Sequence, residues 1–190
     1  MSEVSGFRRL PGVPPYGPSA IPFPSEWGRS GHEGLVVEFA TADGNTWVGN
    51  FGPGLGGIDD VRVHPNERDV LVTSTGALWQ VSPESRMAEE IAPAVFGVWH
   101  VADGLVYSHQ DIAFTCLGKA GVLWHTRRIS WDGFDKLRFE GERLTGQAWS
   151  PIEDGWLPFG IDLRTGAVDG GSYTGPEVHF DYLRADRSQG

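Results

Sequence analysis

Asn50–Asp60 reads NFGPGLGGIDD, with Gly52, Gly54 and Gly57 at the spacing G-x-G-x-x-G and Asp59 and Asp60 directly behind. The residues after the last glycine decide the fold. A dinucleotide cradle needs a helix whose N-terminus receives the pyrophosphate, and an acidic residue about 20 positions on to hold the ribose. The continuation is IDDVRVHP (58–65), where Val61 and Val63 alternate with Arg62 and His64 before a proline. That is the period of a strand. A calcium turn of the form G-G-x-G-x-D fails as well, because Leu55 breaks the match in GLGGID (54–59) and no second copy supplies facing ligands. The glycines are therefore expected to shape a wide turn or bulge loop between two strands.

The rest of the chain has the same character. Asp-Gly, a pair favoured where hairpins need positive φ, occurs at 43–44, 103–104, 132–133, 154–155 and 169–170. Between these lie short stretches rich in β-branched and aromatic residues, among them GLVVEFAT (34–41), DVLVTS (69–74), IAFTCLG (112–118) and GWLPFGIDL (155–163). They predict an all-β chain. The one helix expected is SPESRMAEEIAP (82–93), with Ser82 as N-cap and Pro83 at its first position, one or two turns long before Pro93. Residues 11–24 hold six prolines, which forbid a helix and remove amides that a central strand would use. Residues 1–30 thus read as an extended arm, whose Phe7, Tyr16, Ile21, Phe23 and Trp27 are suited to packing, and 31–190 as a single all-β repeat domain. Arg8-x-x-Pro11-x-x-Pro14 also has the spacing of a polyproline II docking peptide.

Internal similarity refines the fold. A tryptophan stretch recurs in NTWVGNF, FGVWHVADG and GQAWSPIEDG, placing Trp47, Trp99 and Trp149 at intervals of 52 and 50 residues. A second element recurs in GALWQVS, GVLWHT and GIDLRTG, whose glycines, Gly76, Gly121 and Gly160, are 45 and 39 apart. Periods of this length with short strands are those of propeller blades. LGKAGVLWHT and GIDLRTGAV resemble the strand-and-turn of PQQ-type and related bacterial β-propeller repeats. The resemblance implies blade-like sheets, and the quinone-dependent activity of that family is not carried over. The expectation is about three propeller-like antiparallel units, forming a small or incomplete propeller with the arm as a makeshift fourth. A β-sandwich is the alternative.

Composition narrows the function classes. The net charge of −10 repels phosphate backbones, so a basic protein partner is expected rather than nucleic acid. No apolar run of about 18 residues is present, and the arginine pair near the start leads into prolines rather than an export core. A cytoplasmic protein with no membrane partner is expected. Cys116 is the single cysteine, which excludes an intrachain disulfide and a multi-cysteine zinc site. It lies in an apolar stretch where a thiol is inert.

No nucleophile elbow or HExxH is present, so no catalytic, cofactor or metal residue is assigned. His109 and Asp111 at i, i+2 would share a strand face, and with His100 and His125 they outline the one alternative hydrolase or metal site. Eight tryptophans are many for 190 residues. Five fall in the repeats, whereas Trp131 and Trp156 fall outside them, in RRISWDGFDKLRF and SPIEDGWLPFG. These turns predict a recognition face of Arg127, Arg128, Trp131, Asp132, Phe134, Glu153, Asp154 and Trp156. The chain is expected to be a non-enzymatic interaction module for a basic partner, such as a bacterial immunity or scaffold protein. A glycan-binding module is the alternative, and exposed sheet edges make a homodimer an added expectation.

Overall fold

The computed structural model of the chain describes residues 6–27 and 31–176. All regular structure among these residues is β, with no α-helix. Sixteen strands, counted over the described residues, form four sheets of four. By contacts the chain divides into two compact units, Met1–Gly97 and Val98–Gly190.

In the first unit, β3 (Leu35–Ala40) and β4 (Thr46–Phe51) form a hairpin across Thr41–Asn45. There the Asp43 carboxylate accepts from Thr41 Oγ1 and the Asn45 amide, which holds its pKa down at about 2. The arm completes this sheet at both edges: β1 (Phe7–Leu10) runs antiparallel to β3, and β2 (Ile21–Phe23) runs parallel to β4. Pro22 is tolerated because β2 is an edge strand. Phe7, Ile21 and Phe23 pack on the core, with Phe23 stacked on Phe51 at 5.2 Å. Tyr16, by contrast, points to solvent at 90% exposure rather than packing as the sequence suggests.

The second sheet runs β5 (Asp60–Val63), β6 (Val70–Ser74), β7 (Ala77–Ser82), β8 (Met87–Ala92). The expected helix at 82–93 is this last hairpin. Residues 83–86 turn, Arg86 takes φ +55°, and β8 pairs with β7 from Ser82↔Met87 to Leu78↔Ala92. A helix of one or two turns gains too few hydrogen bonds to compete with that ladder. The two-residue hairpin between β6 and β7 uses Thr75 and Gly76, both at positive φ, and not an Asp-Gly pair. Both sheets fill one core of Leu35, Val37, Phe39, Trp47, Phe51, Val70, Val72, Ala77, Trp79 and Val81.

In the second unit, the sheet β9 (Val95–Val101), β10 (Gly104–His109), β11 (Ala113–Gly118), β12 (Gly121–His125) is a meander whose first strand begins at the end of the first unit. The last sheet is β13 (Phe134–Glu140), β14 (Arg143–Ser150), β15 (Gly155–Asp162), β16 (Val168–Gly170). Their core joins Val106, Phe114 and Cys116 to Leu144, Ala148, Phe159 and Ile161.

The recurring tryptophans do not occupy equivalent strands. The described residues form four sheets, where about three units with the arm as a makeshift fourth were expected, and Trp47 and Trp149 sit on the interior strands β4 and β14 while Trp99 sits on the edge strand β9.

Candidate functional site

The glycine loop is the first candidate, and four of its amides are already used. Gly52 N–H donates to Phe23 O (2.7 Å), Gly54 to Ser74 O (2.9 Å), Leu55 to Pro93 O (3.0 Å) and Gly56 to Thr75 O (2.9 Å). Strand β5 comes next, as the alternation of Val61 and Val63 requires. Donors aimed at protein carbonyls leave no anion cradle. The glycines serve close approach instead: a Cβ on Gly54 would lie 2.3 Å from Ala77 N, and one on Gly56 2.1 Å from Val95 O.

The histidines do not converge on a metal. His100 is exposed on β9, while His109 ends β10 fully buried, its pKa lowered to about 4 by burial and then by His125. His125 is exposed, with Nδ1 2.8 Å from Thr115 Oγ1. Asp111 leaves the strand altogether, at φ +54° in the turn after β10, so it does not share a face with His109. Among the described residues no three His, Cys, Asp or Glu side chains are grouped to hold an ion. Cys116 is buried on β11, and burial pushes its thiol up to about 11, where no nucleophilic thiolate exists at neutral pH.

The turn residues singled out in the sequence part into two roles. Phe134 faces inward, its ring 4.6 Å from Phe114 and 5.1 Å from Phe159. Arg128 is consumed within the fold: Nε and Nη2 donate to Ser130 O and Trp131 O, and its guanidinium lies 4.4 Å from the Tyr173 ring. Tyr173 in turn meets Trp131 edge-on at 4.7 Å, so Trp131 is half-buried. Arg127 donates to Gly170 O at 2.6 Å. These groups anchor the 127–134 segment. Of Arg127, Arg128, Trp131 and Phe134, Arg127 alone is exposed.

Asp132, Glu153, Asp154 and Trp156 remain exposed. The ladder explains why two of the turns meet: Trp131 N–H donates to Trp149 O, Trp149 N–H donates to Gly133 O, and Trp149 pairs with Trp156 across β14 and β15. Trp156 is 42% exposed and stands on Trp149 at 66°, ring centroids 5.4 Å apart. Ser150 Oγ donates to Glu153 and caps that hairpin. Sequence reasoning grouped Asp111 with the histidines and missed its place beside Asp132. Its half-buried carboxylate is pushed up by burial and by the Asp132 carboxylate, against the pull of the Phe134 amide. Among the described residues neither Asp111 nor Asp132 has an ion-pair partner. The arrangement is an exposed indole flanked by uncompensated negative charge, which attracts cations both to the ring face and to the carboxylates.

Compared with family models, curated proteins and solved structures, the chain finds no match. No helix among the described residues is long and apolar enough to cross a membrane.

Proposed function

We propose that the chain is a non-enzymatic interaction module that docks a basic protein partner on the Trp156 end of its last sheet. The carrying observation is Trp156 itself, a large indole left exposed on a strand beside Asp132, Glu153 and Asp154. Exposed tryptophans on fixed backbone are the anchors of interfaces, and the surrounding acids steer a partner of opposite charge. The net charge of −10 extends that attraction beyond the contact itself. The four four-stranded sheets act as blade-like units that hold such turns at their ends.

The test is calorimetric titration of the full chain with Lys/Arg-Gly peptides and their Gln-Gly counterparts at two salt concentrations. Binding of the basic peptides alone, weaker at high salt and lost in Trp156→Ala, is expected. Equal binding of neutral peptides, or undiminished binding by Trp156→Ala, overturns the proposal. A neutral glycan that perturbs Trp156 while basic peptides do not would replace it with a sugar-stacking function.

A further inference from the structure

The arm crosses the first sheet on the face away from the core. Leu35, Val37 and Phe39 of β3 and Phe51 of β4 belong to the core, so Val36 and its register partner Asn50 point the other way, as does Pro22, which pairs with Asn50 from β2. Residues 11–20 join the β1 edge of the sheet to the β2 edge. Beneath this strap lies a cavity of about 590 Å³, walled by Val13, Pro14 and Pro18 of the strap and by Pro22, Glu33 and Asn50. That volume is ordinary for a small-molecule site.

The buried polar group in the wall is Asn50, only 6% exposed. Its carboxamide is fixed in orientation, since Oδ1 accepts from the Gly34 N–H at 2.8 Å and Nδ2 donates to His32 O at 3.0 Å. A carboxamide can donate two hydrogen bonds and accept two, so one N–H and one lone pair are left for a guest. The strap above is latched rather than tightly bonded. Among the described residues, the one hydrogen bond from positions 11–19 to the rest of the unit runs from Val13 N–H to Glu33 Oε1, at 3.3 Å.

From this we infer that the cavity binds a neutral planar heterocycle with a lactam edge, an N–H beside a C=O, as in hypoxanthine or uracil. Asn50 meets that edge with both of its remaining groups, Nδ2–H donating to the ring carbonyl and Oδ1 accepting from the ring N–H. Proline C–H groups suit the negative faces of such a ring. The described lining holds no Lys or Arg and one acid, Glu33, so it favours a neutral guest over a phosphorylated one. The site belongs to the first unit and does not rest on the basic-partner reading, which concerns the second.

The experiment titrates the full chain, labelled with 13C and 15N, with inosine and uridine, with 1-methylinosine and 3-methyluridine, and with uridine 5′-monophosphate. The expected result is shifts of the Asn50 side-chain amide and the Val13 amide with both nucleosides. Dissociation constants should rise at least about tenfold when the ring N–H is methylated, and about threefold with the monophosphate. Ser19→Trp places a ring at an exposed position of the cavity wall and should abolish the shifts, retention of the dispersed spectrum showing that the fold is kept. Absence of shifts with both nucleosides, equal affinity for the methylated forms, or undiminished binding by Ser19→Trp overturns the proposal.

Discussion

The indole N–H of Trp124, on β12, donates to the backbone carbonyl of Leu163, beyond the end of β15, at 2.8 Å. In the first unit Trp47, on β4, does the same to Pro83 O at 2.9 Å, in the turn between β7 and β8. In each unit, then, a buried tryptophan of one sheet ties down the turn between the third and fourth strands of the other. The pairing crosses the two tryptophan classes read from the sequence, and it shows where each sheet pair is fastened.

Removing either tie should destabilise its own unit. Trp124→Phe keeps most of the apolar volume but strands the Leu163 carbonyl, at an expected cost of about 1–3 kcal/mol. Trp47→Phe should do the same to the first unit. Hydrogen exchange resolves the two: faster exchange in β11, β12 and β15 for the first variant, and in β4, β7 and β8 for the second.

The glycine loop gives a contrast within four residues. Gly54→Ala drives a methyl onto Ala77 N and Pro93 O, at 2.3 and 2.4 Å, both backbone atoms that cannot step aside. Loss of the first unit's cooperative folding is expected. Gly57→Ala meets nothing within 4 Å and should be neutral, or stabilising by about 0.5 kcal/mol through a less flexible unfolded chain. Chemical denaturation of the two variants checks both.

Phe134 and Trp156 were grouped in one face by sequence, and their variants should separate cleanly. Phe134→Ala empties a site packed by Phe114 and Phe159 and should cost about 3–4 kcal/mol. Trp156→Ala should cost about 1 kcal/mol or less while weakening basic peptides at least tenfold. Thermal melts beside calorimetry distinguish the two outcomes.

Acid should weaken the second unit through His109. Its folded pKa is lowered to about 4 from 6.5. Above pH 6.5 the ring is neutral in both states and contributes no pH dependence. As pH falls from 6.5 toward 4 the unfolded chain gains a proton that the folded chain refuses, so stability drops, levelling below pH 4 after a loss of about 3 kcal/mol. His64, whose pKa burial also lowers, acts in the same direction on the first unit. The difference in denaturation midpoint between the native chain and His109→Gln, measured from pH 7.5 to 4, isolates the effect. A constant difference across that range refutes it.

The all-β class was legible because its signals are local. The alternation of Val61 with Val63, the proline closing that run and the spacing of turn residues all act within a few positions, and they suffice to exclude a nucleotide cradle after Gly57. The short helix at 82–93 was misread for the same reason: Ser82 and Pro83 are true local signals, and the β7 ladder outweighs them only once the chain is folded. Trp131 shares with Trp156 a place outside the repeats yet is half-buried, so only the candidacy of Trp156 for the surface was readable. The inward turn of Phe134, the capture of Arg128 by Tyr173 and the approach of Asp111 to Gly133 were not. Those depend on which strands become neighbours and with what register. Sequence by itself determined the all-β class everywhere but at 82–93, since backbone conformation answers largely to nearest neighbours. Tertiary structure alone decided which aromatic rings became core and which became surface, because burial is a property of the partners a side chain meets.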